Sequence, residues 1–347
     1  MSSPRVAVLM CVFNSEPFLG PAIESILKQS YSDFEFLIIN DCSTDKSKEI
    51  ILSFNDDRIK LIENEKNIGL TRSLNKGISF STGEYIARMD SDDISLENRL
   101  QKQVSFLDKN KTVGVCGSLF RFSDTGEIFH TEFEYEKIKV GLFRANQLAH
   151  PTVMFRKSFF KKFSLLYNEQ LQFAQDYELW VRCCRYFPVV NLREALLIYS
   201  RHENQISSGK KKLQDEAADY ARIMQLDFLG INPSQPEKEM HLSILKKEIL
   251  PLDENLKLSD NWIRKLKSTN DNKMYFSKPS FNNLLRQLQK EIFMSYFNSR
   301  KNDLASLISF FCSTYQPWKL YSWIELLKFT FKCIVGFNNK KTELIND

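Results

Sequence analysis

Glycine is scarce, 11 in 347 residues, and the chain contains neither G-x-G-x-x-G after its first apolar run nor G-x-x-x-x-G-K-[ST] anywhere. Dinucleotide hydride chemistry and P-loop phosphoryl transfer both need glycine-rich turns that bring backbone amides against phosphate, so neither fits. No apolar run reaches about 18 residues, and no membrane-spanning helix is expected. The 7 Cys include no C-x-x-C pair and their number is odd. A complete disulfide framework is therefore impossible, and buried thiols in a reducing, cytoplasmic compartment are expected. Basic excess is slight, a formal net charge of +5, which suits an anionic ligand or membrane surface and gives no reason to expect a nucleic-acid partner. Val6–Phe13 lacks a small-residue cleavage site and runs straight into Asn14-Ser15-Glu16, so it reads as a first buried strand and not as a signal peptide.

What is present is a well-supplied core: 43% apolar residues, 13% aromatic, 28 of them Phe. The first half alternates. Apolar strands are expected over Arg5–Phe13, Phe34–Ile39, Arg58–Glu63 and Tyr85–Met89. Helical spacing is expected over Phe18–Lys28, around Ile50, Ile51 and Phe54, over Leu70–Phe80, and from about Leu96 with Ser95 as a cap. Repeated strand–helix units imply an α/β fold with a mostly parallel sheet flanked by helices. Ligands of such sheets bind beyond the carboxyl ends of the strands. Polar clusters fall there: Asn14-Ser15-Glu16, Asp41, and Asp90-Ser91-Asp92-Asp93. Farther on, Val113–Phe122 and Glu127–Phe133 flank a hairpin turn, Ala149–Phe155 and Val189–Tyr199 read as strands, and Gln175–Phe187 as a helix. The catalytic domain is expected over 1–208 and an α-helical region over 209–347. The aromatic and basic C-terminal helices suit packing, a homodimer surface, or peripheral contact with the inner face of the cell membrane.

Asp90, Asp92 and Asp93 pose a charge problem, because three carboxylates at a strand mouth repel and resist burial. A divalent cation would turn that cost into binding, and hard oxygen ligands suit Mg²⁺ or Mn²⁺. A solvated loop and a helix N-terminus are the alternatives; Ile94 and Ser95 break calcium-loop spacing. Asp41 suits either a turn or a ligand hydroxyl or base N–H. Asp176 suits a helix cap or a general base. His150 and His202 are two of 4 His, and His202 could close a metal and diphosphate site.

Val6–Asn14, Ile38-Ile39-Asn40-Asp41-Cys42-Ser43-Thr44-Asp45, Asn67-Ile68-Gly69-Leu70 and Gly83–Asp93 together resemble the bacterial family 2 glycosyltransferases of the GT-A fold, over roughly residues 4–208. The resemblance implies transfer of a hexosyl or N-acetylhexosaminyl group from a nucleotide-diphosphate sugar, a UDP-sugar, to a hydroxyl of a glycan or lipid-linked acceptor in surface polysaccharide synthesis. It implies Mn²⁺ or Mg²⁺, inversion, and Asp176 as catalytic base. Implied donor-binding residues are Cys11, Phe13, Asn14, Glu16, Asp41, Arg72, Asp90, Ser91 and Asp93; implied metal ligands are Asp92, Asp90 and His202. Cys42 replaces a common Gly, so the turn after Asp41 is expected to need no positive φ. Leu74 stands where many members carry Arg, with Arg72 as its substitute. A nucleotide-sugar binding module without activity, or a metal-dependent nucleotidyltransferase on a similar sheet, is the alternative. A nucleotidyltransferase would want a Gly- and Arg/Lys-rich loop where Asn14-Ser15-Glu16-Pro17 stands.

Overall fold

The computed structural model describes residues 3–201, 211–249, 252–298, 308, 310–311 and 317–335. The chain forms two compact units, residues 1–222 and 223–347. The first unit opens with β1 (Val6–Val12), α1 (Glu16–Leu27), β2 (Phe34–Asn40), α2 (Ser47–Ser53), β3 (Ile59–Glu63), α3 (Leu70–Phe80) and β4 (Tyr85–Met89). It continues through β5 (Ile94–Ser95), α4 (Arg99–Lys109), β6 (Val115–Phe122), β7 (Ile128–Phe129), α5 (Tyr135–Gly141), β8 (Met154–Arg156), α6 (Lys157–Lys162), α7 (Gln175–Cys183) and β9 (Val189–Tyr199). The division between units falls within α8 (Lys211–Leu229).

β1 is buried at every position but Cys11. A strand with no polar face must be covered on both sides and paired on both edges. It is therefore central, parallel to β2 on one side and β4 on the other. The sheet runs β3-β2-β1-β4-β8-β6-β9-β5, with β7 paired to β6. Parallel pairing holds across β3, β2, β1 and β4 and between β6 and β9. β8 lies antiparallel to both its neighbours, and β5 antiparallel to β9. The core is the apolar set Val6, Val8, Met10, Ile23, Phe36, Ile38, Ala87, Leu100 and Val104.

Several expected elements take a different form. Ala149–Phe155 is a 3-10 turn over His150–Thr152 followed by β8, because Pro151 has no N–H to give a ladder. Of Glu127–Phe133 only β7 pairs. Ser95 belongs to β5, and Asn98 precedes α4. Cys42 adopts φ +61, so the turn does require the left-handed conformation despite lacking Gly.

The second unit contains α9 (Gln235–Lys246), α10 (Asp253–Lys273), α11 (Lys278–Asn298) and, after a 3-10 turn at Pro317–Leu320, α12 (Trp323–Val335). Ser234 and Glu237 form a capping box on α9. Pro279 lies in the first turn of α11, the position where a missing N–H costs nothing. Trp262, Leu266, Phe276, Phe281 and Leu285 are buried in its core.

Candidate active site

β2, β1 and β4 are parallel and adjacent, so the residues that follow them converge on one edge. At the end of β2, Asp41 is buried and accepts three hydrogen bonds. Asn64 Nδ2 and the Ile68 amide donate to one oxygen (2.7 and 2.9 Å), and the Gly69 amide to the other (2.8 Å). These bonds pin the Asn67-Ile68-Gly69 turn and set the start of α3. After β1, Asn14 adopts φ +50, and its Oδ1 accepts the Thr44 amide at 2.8 Å. Ser15 Oγ lies 2.7 Å from Ser91 Oγ, which joins this loop to the acidic strand end. Glu16 accepts the Lys46 amide, and the Glu16 amide donates to Asp45.

At the end of β4, Arg88 is buried within the strand and ion-paired with Asp90. Its Nε and Nη1 are buried without a partner. Asp90, Asp92 and Asp93 bring one carboxylate oxygen each to within 4.8 Å of one another. Burial, against the pull of Arg88, raises the Asp90 carboxyl above its ordinary value, and Asp92 adds to this. Burial likewise lifts the Asp93 carboxyl well above the carboxylate range, helped by Asp90 and Asp92. Asp93 accepts the Ser200 amide at 3.0 Å through one oxygen; its other oxygen is buried and unpartnered. Three carboxylates this close, one with an orphaned buried oxygen, fit a hard divalent cation.

The edge is buttressed from beneath. Arg99, fully buried, donates to the Arg88 carbonyl at 2.6 Å and to Gln103 Oε1 at 3.1 Å. Gln103 in turn donates to the Cys116 and Thr152 carbonyls. Asp176 is the second residue of α7, which starts at Gln175 directly after Ala174, whose φ of +50 places a non-glycine residue in the left-handed region. Backbone strain of this kind clusters at functional sites. Asn146 Nδ2 donates to Asp176 Oδ2 at 2.7 Å. Burial raises the Asp176 carboxyl, against the Tyr177 amide, Arg88 and Asn146. Asp176 in turn acts electrostatically on Asp90, a smaller contribution than those of burial, Arg88 and Asp92.

His150 is buried, with Nε2 2.7 Å from the Tyr167 hydroxyl. Burial, with Arg88 nearby, drives its pKa well down, so it stays neutral. Arg72 is exposed and ion-paired with Glu169 at 3.4 Å, while Leu74 is buried. Phe13 is exposed at the end of β1, and burial pushes the Cys11 thiol up. His202 lies outside the described residues. Sequence reasoning did not single out Asn64, Arg88, Arg99, Asn146 or Ser200. A charged residue inside the apolar run Tyr85–Met89 was a signal for Arg88; Asn146 carries none.

Residues 7–181 match the family described as glycosyl transferase family 2. An uncharacterized glycosyltransferase of Haemophilus influenzae is 33% identical over 232 residues, covering 62% of this chain and 71% of that protein. A second relative, of Escherichia coli, is 29% identical over 215 residues, 61% of this chain and 83% of that protein. It is named the UDP-Glc:alpha-D-GlcNAc-diphosphoundecaprenol beta-1,3-glucosyltransferase WfgD. Among solved structures, S. aureus TarS 1–349 in complex with UDP-GlcNAc superposes with TM-score 0.57 at 18% identity, covering 84% of this chain and 89% of that one. This likeness carries the fold, the GT-A type.

Proposed function

The chain belongs to glycosyl transferase family 2, and from that premise we propose an inverting, metal-assisted transfer of a sugar from a UDP-sugar to a hydroxyl of a lipid-linked or glycan acceptor. The observation that carries the reading is the Asp90/Asp92/Asp93 cluster at the end of β4, with Asp176 near enough to act electrostatically on Asp90. The WfgD relative, named for a UDP-glucose donor and a diphosphoundecaprenol-linked acceptor, supports the donor and acceptor classes. Bacterial surface polysaccharide synthesis is the setting that suits them.

The residues divide the work. Asp92 and Asp90 would hold Mn²⁺ or Mg²⁺, with His202 a further ligand. When bound, such a cation offsets the charge that develops on the departing diphosphate. Cys11, Phe13, Asn14, Glu16, Asp41 and Arg72 border the nucleotide, and Ser91 and Asp93 the reacting sugars. Asp176 takes the proton of the acceptor hydroxyl. Burial raises its pKa, which strengthens it as a base, and Asn146 donates to its carboxylate and so fixes its direction. With one base and no enzyme nucleophile, attack comes from the side opposite the leaving group. An α-linked donor then gives a β-glycoside.

The test is nucleoside diphosphate release from a panel of UDP-, GDP- and dTDP-sugars, with Mn²⁺ and with chelator. UDP release that needs the metal is expected. Turnover indifferent to chelator would remove the metal, and transfer of a nucleotidyl group would remove the glycosyl reading. Asp92→Ala is expected to abolish metal-dependent donor binding in calorimetry while leaving the fold intact.

A further inference from the structure

Charge is unevenly divided between the two units. Residues 1–222 carry 30 Lys and Arg against 30 Asp and Glu; residues 223–347 carry 18 against 13, so the whole excess of +5 lies in the second unit. Within that unit α12 is apolar on two faces. One packs inward: Phe329 and Cys333 are buried, and the Phe329 ring lies 4.6 Å from Phe310 and 6.1 Å from Phe297. The other points to solvent. Trp323, Ile324, Leu327 and Phe331 are 75%, 65%, 53% and 67% exposed. At roughly 100° per residue these four fall on one arc of about 100°, with Lys328 at its margin. Lys328 and Lys319 are exposed.

The only acid within α12 is Glu325. It is ion-paired with Lys290 and accepts the Ser322 amide at 2.9 Å. The apolar arc thus has Lys328 at its margin and, among the described residues of the helix, no carboxylate on it. A contiguous exposed patch of this kind marks an interaction surface. Its composition, with Trp and Phe among Leu and Ile and with Lys at the rim, matches a helix lying in a bilayer interface. α12 has 13 residues, about 20 Å at ~1.5 Å per residue, too short to cross a hydrocarbon core of about 30 Å. No helix among the described residues is long and apolar enough to cross a membrane. A second copy pairing through the same face would set lysine against lysine, with no carboxylate on that arc among the described residues to meet them.

We infer that the Trp323/Ile324/Leu327/Phe331 face of α12 docks the protein onto an anionic lipid bilayer, lying flat in the interface with Lys319 and Lys328 at the headgroups. None of these residues is among those assigned to the transfer reaction. The test uses the full chain with vesicles of phosphatidylcholine, with and without phosphatidylglycerol, read by co-sedimentation and tryptophan emission. Wild type is expected to bind the anionic vesicles, less at high salt, with a blue shift of emission that Trp323→Phe reduces. Trp323→Glu/Phe331→Glu, both at exposed positions, is expected to lower partitioning roughly ten-fold or more with thermal unfolding unchanged. Lys319→Glu/Lys328→Glu is expected to cost roughly five-fold per lysine on anionic vesicles and little on neutral ones. Equal partitioning of the Trp323/Phe331 variant, or wild type left in the supernatant with both vesicles, overturns the inference. So does a dimer that the variant splits without change in vesicle binding.

Discussion

Asp41 and Asp93 follow strands that lie on either side of β1, and both are buried. Asp41 accepts three hydrogen bonds from one loop. Asp93 accepts one, and its second oxygen has no partner. A buried carboxylate whose oxygens are occupied by amides is a fastening: it exchanges water for donors that the fold already holds in place. A buried carboxylate left partly unmet, beside two more acids, is costly as it stands. The β2 end thus holds backbone, and the β4 end holds room for a charge the protein does not itself supply.

The contrast breaks if the acids at the β4 end prove dispensable. Asp176→Asn is therefore expected to have the largest effect. Turnover should fall about 10²- to 10⁴-fold, the range for loss of a general base. UDP affinity by calorimetry should stay within about two-fold, because the Asn side chain keeps an acceptor for Asn146. Turnover near wild type would remove Asp176 from the chemistry.

Asp41→Ala probes the other end and should act on stability. Three bonds to one charged acceptor are lost, at about 1.5–3 kcal/mol each and not additively, so urea unfolding should show a loss of roughly 2–4 kcal/mol. A loss under about 1 kcal/mol with donor binding abolished would make Asp41 a ligand residue first and a fastening second.

Asp93→Asn sharpens the contrast through pH. Burial, then Asp90 and Asp92, raise the Asp93 carboxyl in the folded state. Its protonated form is thus favoured by folding. That advantage is complete below the unfolded-state pKa of about 3.9 and is lost as pH climbs from there toward the raised folded value. Without metal, wild type should lose stability relative to Asp93→Asn across that window, by at most about 1.4 kcal/mol per pH unit. Added Mn²⁺ should reverse the order at neutral pH, because the cation favours the ionised cluster. A pH-independent difference would mean that Asp93 titrates as an ordinary exposed acid.

The parallel half of the fold was legible because strands covered on both faces are continuous apolar runs: Val6–Val12, Phe34–Asn40 and Tyr85–Met89 are buried almost throughout. The acidic end was legible because its residues are adjacent in sequence. The parts that hold it were not. Asn146 precedes Asp176 by 30 residues in an irregular stretch with no period to read. β5 is two residues long and exists only because β9 runs beside it, which is also what brings the Ser200 amide to Asp93. Asp41's three donors come from a loop more than 20 residues away. Each of these is a tertiary meeting, and single-sequence periodicity carries no information on tertiary meetings.

The smallest effects come from two residues in the left-handed region, Cys42 and Asn14, at φ +61 and +50. For a residue with a Cβ this conformation costs about 1 kcal/mol or more, less for Asn, whose short polar side chain can bond locally. Asn14 bonds instead across to the loop after β2, its Oδ1 accepting the Thr44 amide. Cys42 has only a 3.9 Å sulfur contact to the Glu65 carbonyl. Glycine removes the strain at both positions and adds about 0.5–1 kcal/mol of unfolded-state entropy. At Cys42 little else is lost, so Cys42→Gly should be neutral to stabilising by roughly 0.5 kcal/mol. At Asn14 a bond to a backbone amide goes as well, so Asn14→Gly should destabilise by about 1 kcal/mol. Thermal unfolding of the two variants side by side tests the pair. Destabilisation by Cys42→Gly equal to that by Asn14→Gly would show that the thiol, like the amide, holds the turn after β2.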